Sequence, residues 1–301
     1  MQVRLLRTLG NDSGNLFDQV VWDKPEITDD EIEVRAVMTG VCRSDIDMML
    51  GGFGPLPLNM QGHEGLGQVT KVGANIIGVA VGDYVATRGE PAYADYYNVR
   101  NQEFVAVPEA HPRYILEPVA CGVNVVTQCI REIAERSGSG KRLLIMGSGF
   151  LAWVAYRTIL LNHLDFDITV FGHSNRELWG DALSPKLEGT FDVIIDLSPR
   201  SDPYVTDMVN SEALVIFGSQ KTVETDFRHL LWKACTIMFP SPRTQNFYSA
   251  MQDALMWVQN GDINVDKFWT QAYNRDTEWF KAFLDGVVRP QNYSRGYIQW
   301  Q

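Results

Sequence analysis

The chain has 301 residues, 45% of them hydrophobic and 21% charged, a length beyond which one hydrophobic core stops growing, so two domains are expected. A net charge of −11 repels phosphate backbones and anionic lipid headgroups, which sets nucleic acid and the membrane surface aside as partners. The four cysteines, Cys42, Cys121, Cys129 and Cys235, are too scattered for a disulfide framework or a CxxC zinc knuckle.

The start of the chain carries Arg4 and Arg7 and only a broken apolar run, short of a secretory core, so the cytoplasm is the expected location. From Glu31 to Val85 the texture is that of a small all-β unit: Glu31 to Met38 alternates, Gly67 to Val72 reads as a strand, and Gly82-Asp83 punctuates before Tyr84-Val85-Ala86. Two short frames inside this region carry chemistry. Gly40-Val41-Cys42-Arg43-Ser44-Asp45 offers a thiol, and Gly62-His63-Glu64-Gly65-Leu66-Gly67 an imidazole and a carboxylate. Zinc takes this donor set in catalytic sites that keep one position open. Taken singly, a cysteine of this kind is a small core residue and a histidine a satisfied polar group.

Around residue 123 the texture changes. Val123 to Arg136 is helix-like, Ser137-Gly138-Ser139-Gly140 is a break, and Arg142 to Met146 is an apolar strand. The apolar stretch from Leu143 to Leu161 is interrupted by Gly147, Ser148, Gly149 and Arg157, so it reads as strand, turn and buried helix, not as a membrane span. Strands follow at Ile168 to Phe171, Phe191 to Leu197 and Ala213 to Gly218, an alternation with helices that predicts a parallel sheet covered on both faces. After a helix from about Gln245 to Asn260, the tail reads as a strand from Phe268 to Tyr273, a helix near Thr277 to Asp285, and a strand from Gly296 to Trp300. The domains expected are 1–122, 123–264, and a returning tail, 265–301, that rejoins the first.

The run Gly147-Ser148-Gly149-Phe150-Leu151-Ala152 follows a strand and opens a helix. The first glycine permits a tight turn, the second lets backbone approach a pyrophosphate, and Ala152 lets helix and strand pack closely, with the helix N-terminus toward the phosphates. Where an NAD site places an acid on the ribose, this chain has Gly172, followed by His173, Ser174, Asn175 and Arg176. That set leaves room for a 2′-phosphate and offers it donors and a cation, so NADP is favoured over NAD. The plainer alternative is a polar loop at a strand end.

Taken together, the frames at Cys42 and His63, the Gly82-Asp83-Tyr84-Val85 segment and the glycine turn resemble the zinc-dependent medium-chain alcohol and polyol dehydrogenases, from about Glu31 to the end of the chain. The resemblance implies a GroES-like β-rich catalytic domain and a Rossmann doubly wound parallel-sheet domain with the active site between them, and a small-molecule alcohol or carbonyl substrate. It further implies Cys42 and His63 as ligands of one catalytic zinc ion, with Glu117, in Leu116-Glu117-Pro118, and Glu64 competing for the third place. Cys121 would lie beside the nicotinamide, Asp45 would accept from the His63 ring, and Ser44 would pass the substrate proton outward while zinc lowers the alcohol's pKa. Arg295-Gly296 resembles a Lys-Gly pair whose cation lies near the cofactor, and a dimer or tetramer is implied, with Ala213 to Gly218 as a plausible sheet edge.

Three departures stand out. No cysteine lies between Val85 and Glu117, so a structural zinc lobe is not expected. Asp47 stands where a relay histidine is usual, and is the candidate for the outer proton path. The stretch from Arg176 to Phe191 is short, so part of the cofactor sheet is expected to be trimmed. Phe53, Tyr93, Tyr96, Tyr97, Trp269 and Trp279 can line a substrate cleft or simply pack in a core. The competing functional readings are a zinc-free quinone or enoyl reductase on the same scaffold, and a non-catalytic scaffold protein.

Overall fold

The structure, a computed structural model, describes residues 1–10, 14–52, 61–198, 207–219, 227–244 and 246–300. It divides into two compact units, residues 1–118 with 251–301, and residues 119–250.

The first unit opens with an antiparallel pair, β1 (Gln2–Thr8) and β2 (Phe17–Asp23). The strands β3 (Glu31–Gly40), β4 (Gly65–Val72), β5 (Tyr84–Thr87), β6 (Tyr96–Arg100) and β7 (Phe104–Val107) then build most of a seven-stranded sheet, with the helix α1 (Arg43–Met49) inserted after β3. Strand β3 organises this sheet. Its first half pairs with β6 on one edge while its whole length pairs with β4 on the other. Its inward positions, Ile32, Val34 and Ala36, are buried in a core shared with Val69, Val85, Tyr97 and Val99, which is why the alternating run beginning at Glu31 folds as a strand.

The second unit begins within α2 (Glu117–Thr127), followed by α3 (Ile130–Ala134). The single helix expected from Val123 to Arg136 is thus two, separated at Gln128-Cys129. A parallel sheet follows: β8 (Arg142–Met146), the helix α4 (Phe150–Leu161), β9 (Asp167–Phe171), a four-residue α5 (Arg176–Trp179), β10 (Leu183–Ser184), β11 (Phe191–Asp196), β12 (Val209–Phe217), α6 (Phe227–Trp232) and β13 (Thr236–Met238). The strand order is β10-β9-β8-β11-β12-β13. Leu143, Ile145, Val193 and Ile195 face one core and Leu144, Met146 and Ile194 the other, so the central strands read as continuous apolar runs. Between β9 and β11 a four-residue helix, a single 3-10 turn at Gly180–Ala182 and a two-residue strand remain. The segment Ala213 to Gly218 is not the sheet edge: β12 is paired on both sides, and β13 lies outside it through Leu214–Thr236, Val215–Ile237 and Ile216–Met238.

The chain returns through α7 (Phe247–Gln259) to β14 (Trp269–Asn274), the helix α8 (Trp279–Val288) and β15 (Arg295–Gln299) in the first unit. Strand β15 pairs with Met38 to Gly40, the half of β3 that β6 leaves open. No described helix is long and apolar enough to cross a membrane.

Candidate metal and nucleotide sites

Sheet register assembles the first site. Cys42 follows β3 directly, and Gly65 at the start of β4 pairs with Thr39, so His63 and Glu64 lie beside the end of β3. Gly40 N–H donates to the Glu64 carbonyl at 2.9 Å and Val41 N–H to the Gly296 carbonyl at 3.0 Å, which brings the first residues of β15 to the same point. Cys42 Sγ, a ring nitrogen of His63 and a carboxylate oxygen of Glu64 lie within 4.8 Å of one another. Among the described residues this is the one group of three or more histidine, cysteine and acidic side chains that meets that distance.

Cys42 is also the residue from which α1 starts. Its backbone N–H donates to Asp45 Oδ2 at 2.8 Å, so the same carboxylate caps the helix and stands beside the histidine, with Asp45 Oδ1 3.9 Å from His63 Nδ1. On the other side of the ring, Ser44 Oγ lies 3.5 Å from His63 Nε2. Asp47 faces elsewhere, accepting from Arg43 Nε at 2.9 Å in an exposed pair.

Asp45, Glu64 and Glu117 are all buried, and they set the electrostatics. Burial alone pushes the His63 ring toward its neutral form, but Glu117, Cys42 and Asp45 outweigh it, and its pKa stands well above the ordinary value. Burial and the Glu64 charge push the Cys42 thiol upward against the opposing pull of His63. A thiolate there needs a further positive charge, which a divalent cation would provide. Donors sharing a tetrahedral zinc sit roughly 3.3 to 3.8 Å apart, given Zn–N and Zn–S bonds of about 2.0 to 2.3 Å, so small side-chain rotations suffice and the residues fit the ion. Glu117, the first residue of α2, acts on His63 through its charge but is not one of the three clustered donors.

Arg295 lies at this cluster. Its guanidinium Nη2 is 2.5 Å from Glu64 Oε2, with the Glu64 side chain wholly buried, and its plane lies over the Trp269 ring, 5.0 Å from the centroid. The sequence motif suggested a cofactor contact for Arg295; within the first unit Glu64 and Trp269 are among its neighbours. Of the candidate cleft aromatics, Tyr93 and Tyr97 are fully buried, Trp279 nearly so, and Tyr96 and Trp269 half-buried; Phe53 lies outside the described residues.

The second unit carries the glycine turn. Gly147, at the end of β8, has φ +109°, a conformation that calls for glycine, and a Cβ there would fit only tightly, 3.3 Å from the Leu197 backbone. Gly149 is the N-cap of α4, makes no side-chain capping bond, and would meet nothing within 4 Å on acquiring a Cβ. The turn therefore leaves an open cradle at the uncapped N-terminus of a twelve-residue helix, which fits a pyrophosphate. Phe150 is buried and Leu151 half-buried in this first turn.

The residues after β9 fold over the turn. Ser174 N–H donates to Ser148 Oγ at 3.0 Å, Asn175 Nδ2 to the Ser148 carbonyl at 2.9 Å, and Trp179 Nε1 to the same carbonyl at 3.2 Å. Ser174 and Asn175 are thus engaged by the loop itself, while His173, Ser174 and Arg176 are exposed. Cys121 is half-buried on α2 in the same unit. Sequence reasoning missed Trp179 as the clamp on this loop and Tyr93 as a partner of Asp45.

Residues 28–111 match the alcohol dehydrogenase GroES-like domain. Over 89% of this chain and 90% of its own length, D-arabitol-phosphate dehydrogenase of Enterococcus avium is 26% identical. A thermostable alcohol dehydrogenase from Pyrobaculum aerophilum superposes with a TM-score of 0.79 at 17% identity over 100% of both chains. An alcohol dehydrogenase from Escherichia coli, solved with NADH, gives 0.78 at 15% identity over 99% of both. The fold is accordingly a GroES-like unit with a Rossmann-like parallel-sheet unit.

Proposed function

We propose that the chain is a medium-chain dehydrogenase/reductase of the alcohol and polyol dehydrogenase type, a reading supported by the GroES-like match and the alcohol and polyol dehydrogenase relatives, and that it transfers a hydride between NADP(H) and an alcohol or carbonyl substrate of polyol or sugar character, using one zinc ion. The observation that carries this reading is the clustering of Cys42, His63 and Glu64 within 4.8 Å. Cys42, His63 and Glu64 would hold the ion; Glu64 is preferred to Glu117 because it belongs to the cluster.

Bound there, zinc would supply Lewis-acid polarisation of the substrate oxygen, and the nicotinamide would supply or accept the hydride. Asp45 Oδ1, 3.9 Å from His63 Nδ1, would favour the proton on Nδ1 and so keep Nε2 available as a donor atom. Ser44, beside Nε2, takes the substrate hydroxyl proton or returns it. Glu117 adds negative charge that steadies the histidine's environment. In the second unit, Gly147 and Gly149 make room for the pyrophosphate, while His173 and Arg176 receive the 2′-phosphate that distinguishes NADP.

A homo-oligomer is part of this proposal. Strand β13 is a sheet edge flanked by the exposed side chains of Leu231, Trp232 and Phe239, which a second copy would cover. A zinc-free quinone or enoyl reductase is the second reading, favoured by one observation: Arg295 already balances the Glu64 charge. A screen of polyols and sugars with NADP and NAD, run beside metal analysis, separates the two. Zinc-dependent polyol oxidation supports the first; reduction of quinones or enones by a zinc-free chain supports the second.

A further inference from the structure

The metal reading leaves the orientation of Asp45 unexplained. This carboxylate is 2% exposed, and its two oxygens are used differently. Oδ2 accepts from Cys42 N–H at 2.8 Å and from the Tyr93 hydroxyl at 2.7 Å, while Oδ1 makes no hydrogen bond and faces His63 Nδ1 at 3.9 Å. Two donors on one oxygen lock the carboxylate's rotation and aim the other oxygen at the ring. The Tyr93 hydroxyl has a single proton, and the Gly40 carbonyl at 3.1 Å competes for it. The shorter bond to a charged acceptor is the stronger one.

Tyr93 is itself held from several directions. It is fully buried, its ring meets Phe283 of α8 edge-on at a centroid distance of 5.4 Å, and its backbone carbonyl accepts from Leu6 N–H at 2.9 Å. The residue before His63, Gly62, lies against the same ring. A Cβ on Gly62 would fall 2.7 Å from Tyr93 Cγ, and Gly62 has φ +81°, so the approach requires glycine. Tyr93 therefore touches both Asp45 and the segment that carries His63.

We propose that Tyr93 is a positioning residue for the metal cluster: its hydroxyl pins Asp45 so that Oδ1 is presented to His63 Nδ1–H, leaving Nε2 as the metal donor. This rests on the zinc reading above. Outer partners of metal-binding histidines are worth about 10- to 100-fold in metal affinity, and the hydroxyl acts one bond further out.

The test is Tyr93→Phe, which keeps the ring and removes the hydroxyl, studied in the full chain beside Asp45→Asn and the double variant. Zinc affinity is read by competition with a chromophoric chelator, and ligand geometry by the visible spectrum of the cobalt-substituted chain. Expected for Tyr93→Phe are zinc binding weakened about threefold to tenfold, less than the roughly 10- to 100-fold of a direct outer partner because the hydroxyl acts through Asp45, and an altered cobalt spectrum. In the Asp45→Asn background the same change is expected to add nothing. Unchanged affinity and spectrum in Tyr93→Phe, with normal binding by the parent chain, overturn the inference alone, as does a full additional loss in the double variant. A parent chain that binds no zinc overturns the metal reading and this inference with it.

Discussion

Glu64 and Arg295, 231 positions apart in the chain, form a buried ion pair at 2.5 Å at the edge of the Cys42–His63 cluster. The pair exists because β4 and β15 flank the same end of β3. Removing the cation leaves a carboxylate with no exposure to water, an arrangement that typically costs about 3 to 5 kcal/mol. Arg295→Gln is therefore expected to lose stability on that scale in urea unfolding of the zinc-free chain. Zinc should restore part of the loss, because the ion takes over the charge. Equal losses with and without zinc would separate Glu64 from the metal.

A second buried pair makes a pH prediction. Lys24 and Glu33 meet at 2.8 Å with side chains 1% and 3% exposed. Burial pushes the Glu33 carboxyl up, but hydrogen bonds from Lys24, Thr70 and Lys71 outweigh it and hold its pKa below the ordinary carboxylate range. A folded-state pKa below the unfolded value means the stabilisation is present at neutral pH and lost as pH falls through the folded value. Lys71 remains 3.3 Å from Glu33, so Lys24→Met should cost up to about 3 kcal/mol near pH 7, the low end of the penalty for an unpaired buried charge, a deficit that shrinks in acid as Glu33 takes up a proton. A deficit that stays constant down to acid pH would contradict this.

The proposed preference for NADP rests on Arg176. It is exposed next to the glycine turn, and a hydrogen bond to a charged group is worth about 1.5 to 3 kcal/mol. Arg176→Ala is expected to weaken NADPH binding by roughly 10- to 100-fold on that basis and NADH binding far less, as measured by fluorescence titration. Equal losses would remove the case for the 2′-phosphate.

Gly172 resists the obvious conversion to NAD. A Cβ there would fall 2.3 Å from Ser148 Oγ and 2.9 Å from Ser148 N, so Gly172→Asp must displace the glycine turn itself. The expected result is weaker binding of both cofactors in the same titration. A gain in NADH affinity would show that the loop adapts.

The local chemistry was legible in the sequence where it is local. Cys42, His63 and Glu64 lie in short frames beside glycines, and the strand-turn-helix at Gly147 reads directly from apolar runs and the break between them. What required the fold was register. The Tyr93–Asp45 contact spans 48 positions, and no spacing rule links Arg295 to Glu64. The sheet edge was assigned to Ala213 to Gly218 because β13 has only three residues, too few to show a pattern. The N-terminal strand β1 escaped notice for a related reason: its burial does not alternate.

Metal content and turnover measured on one preparation test the central claim most directly. Chain purified without chelator should carry one zinc, lose turnover when the metal is stripped, and recover it on zinc addition, while Cys42→Ala holds no zinc yet still binds NADPH. Full turnover by a chain stripped of zinc, or by Cys42→Ala, would contradict the account.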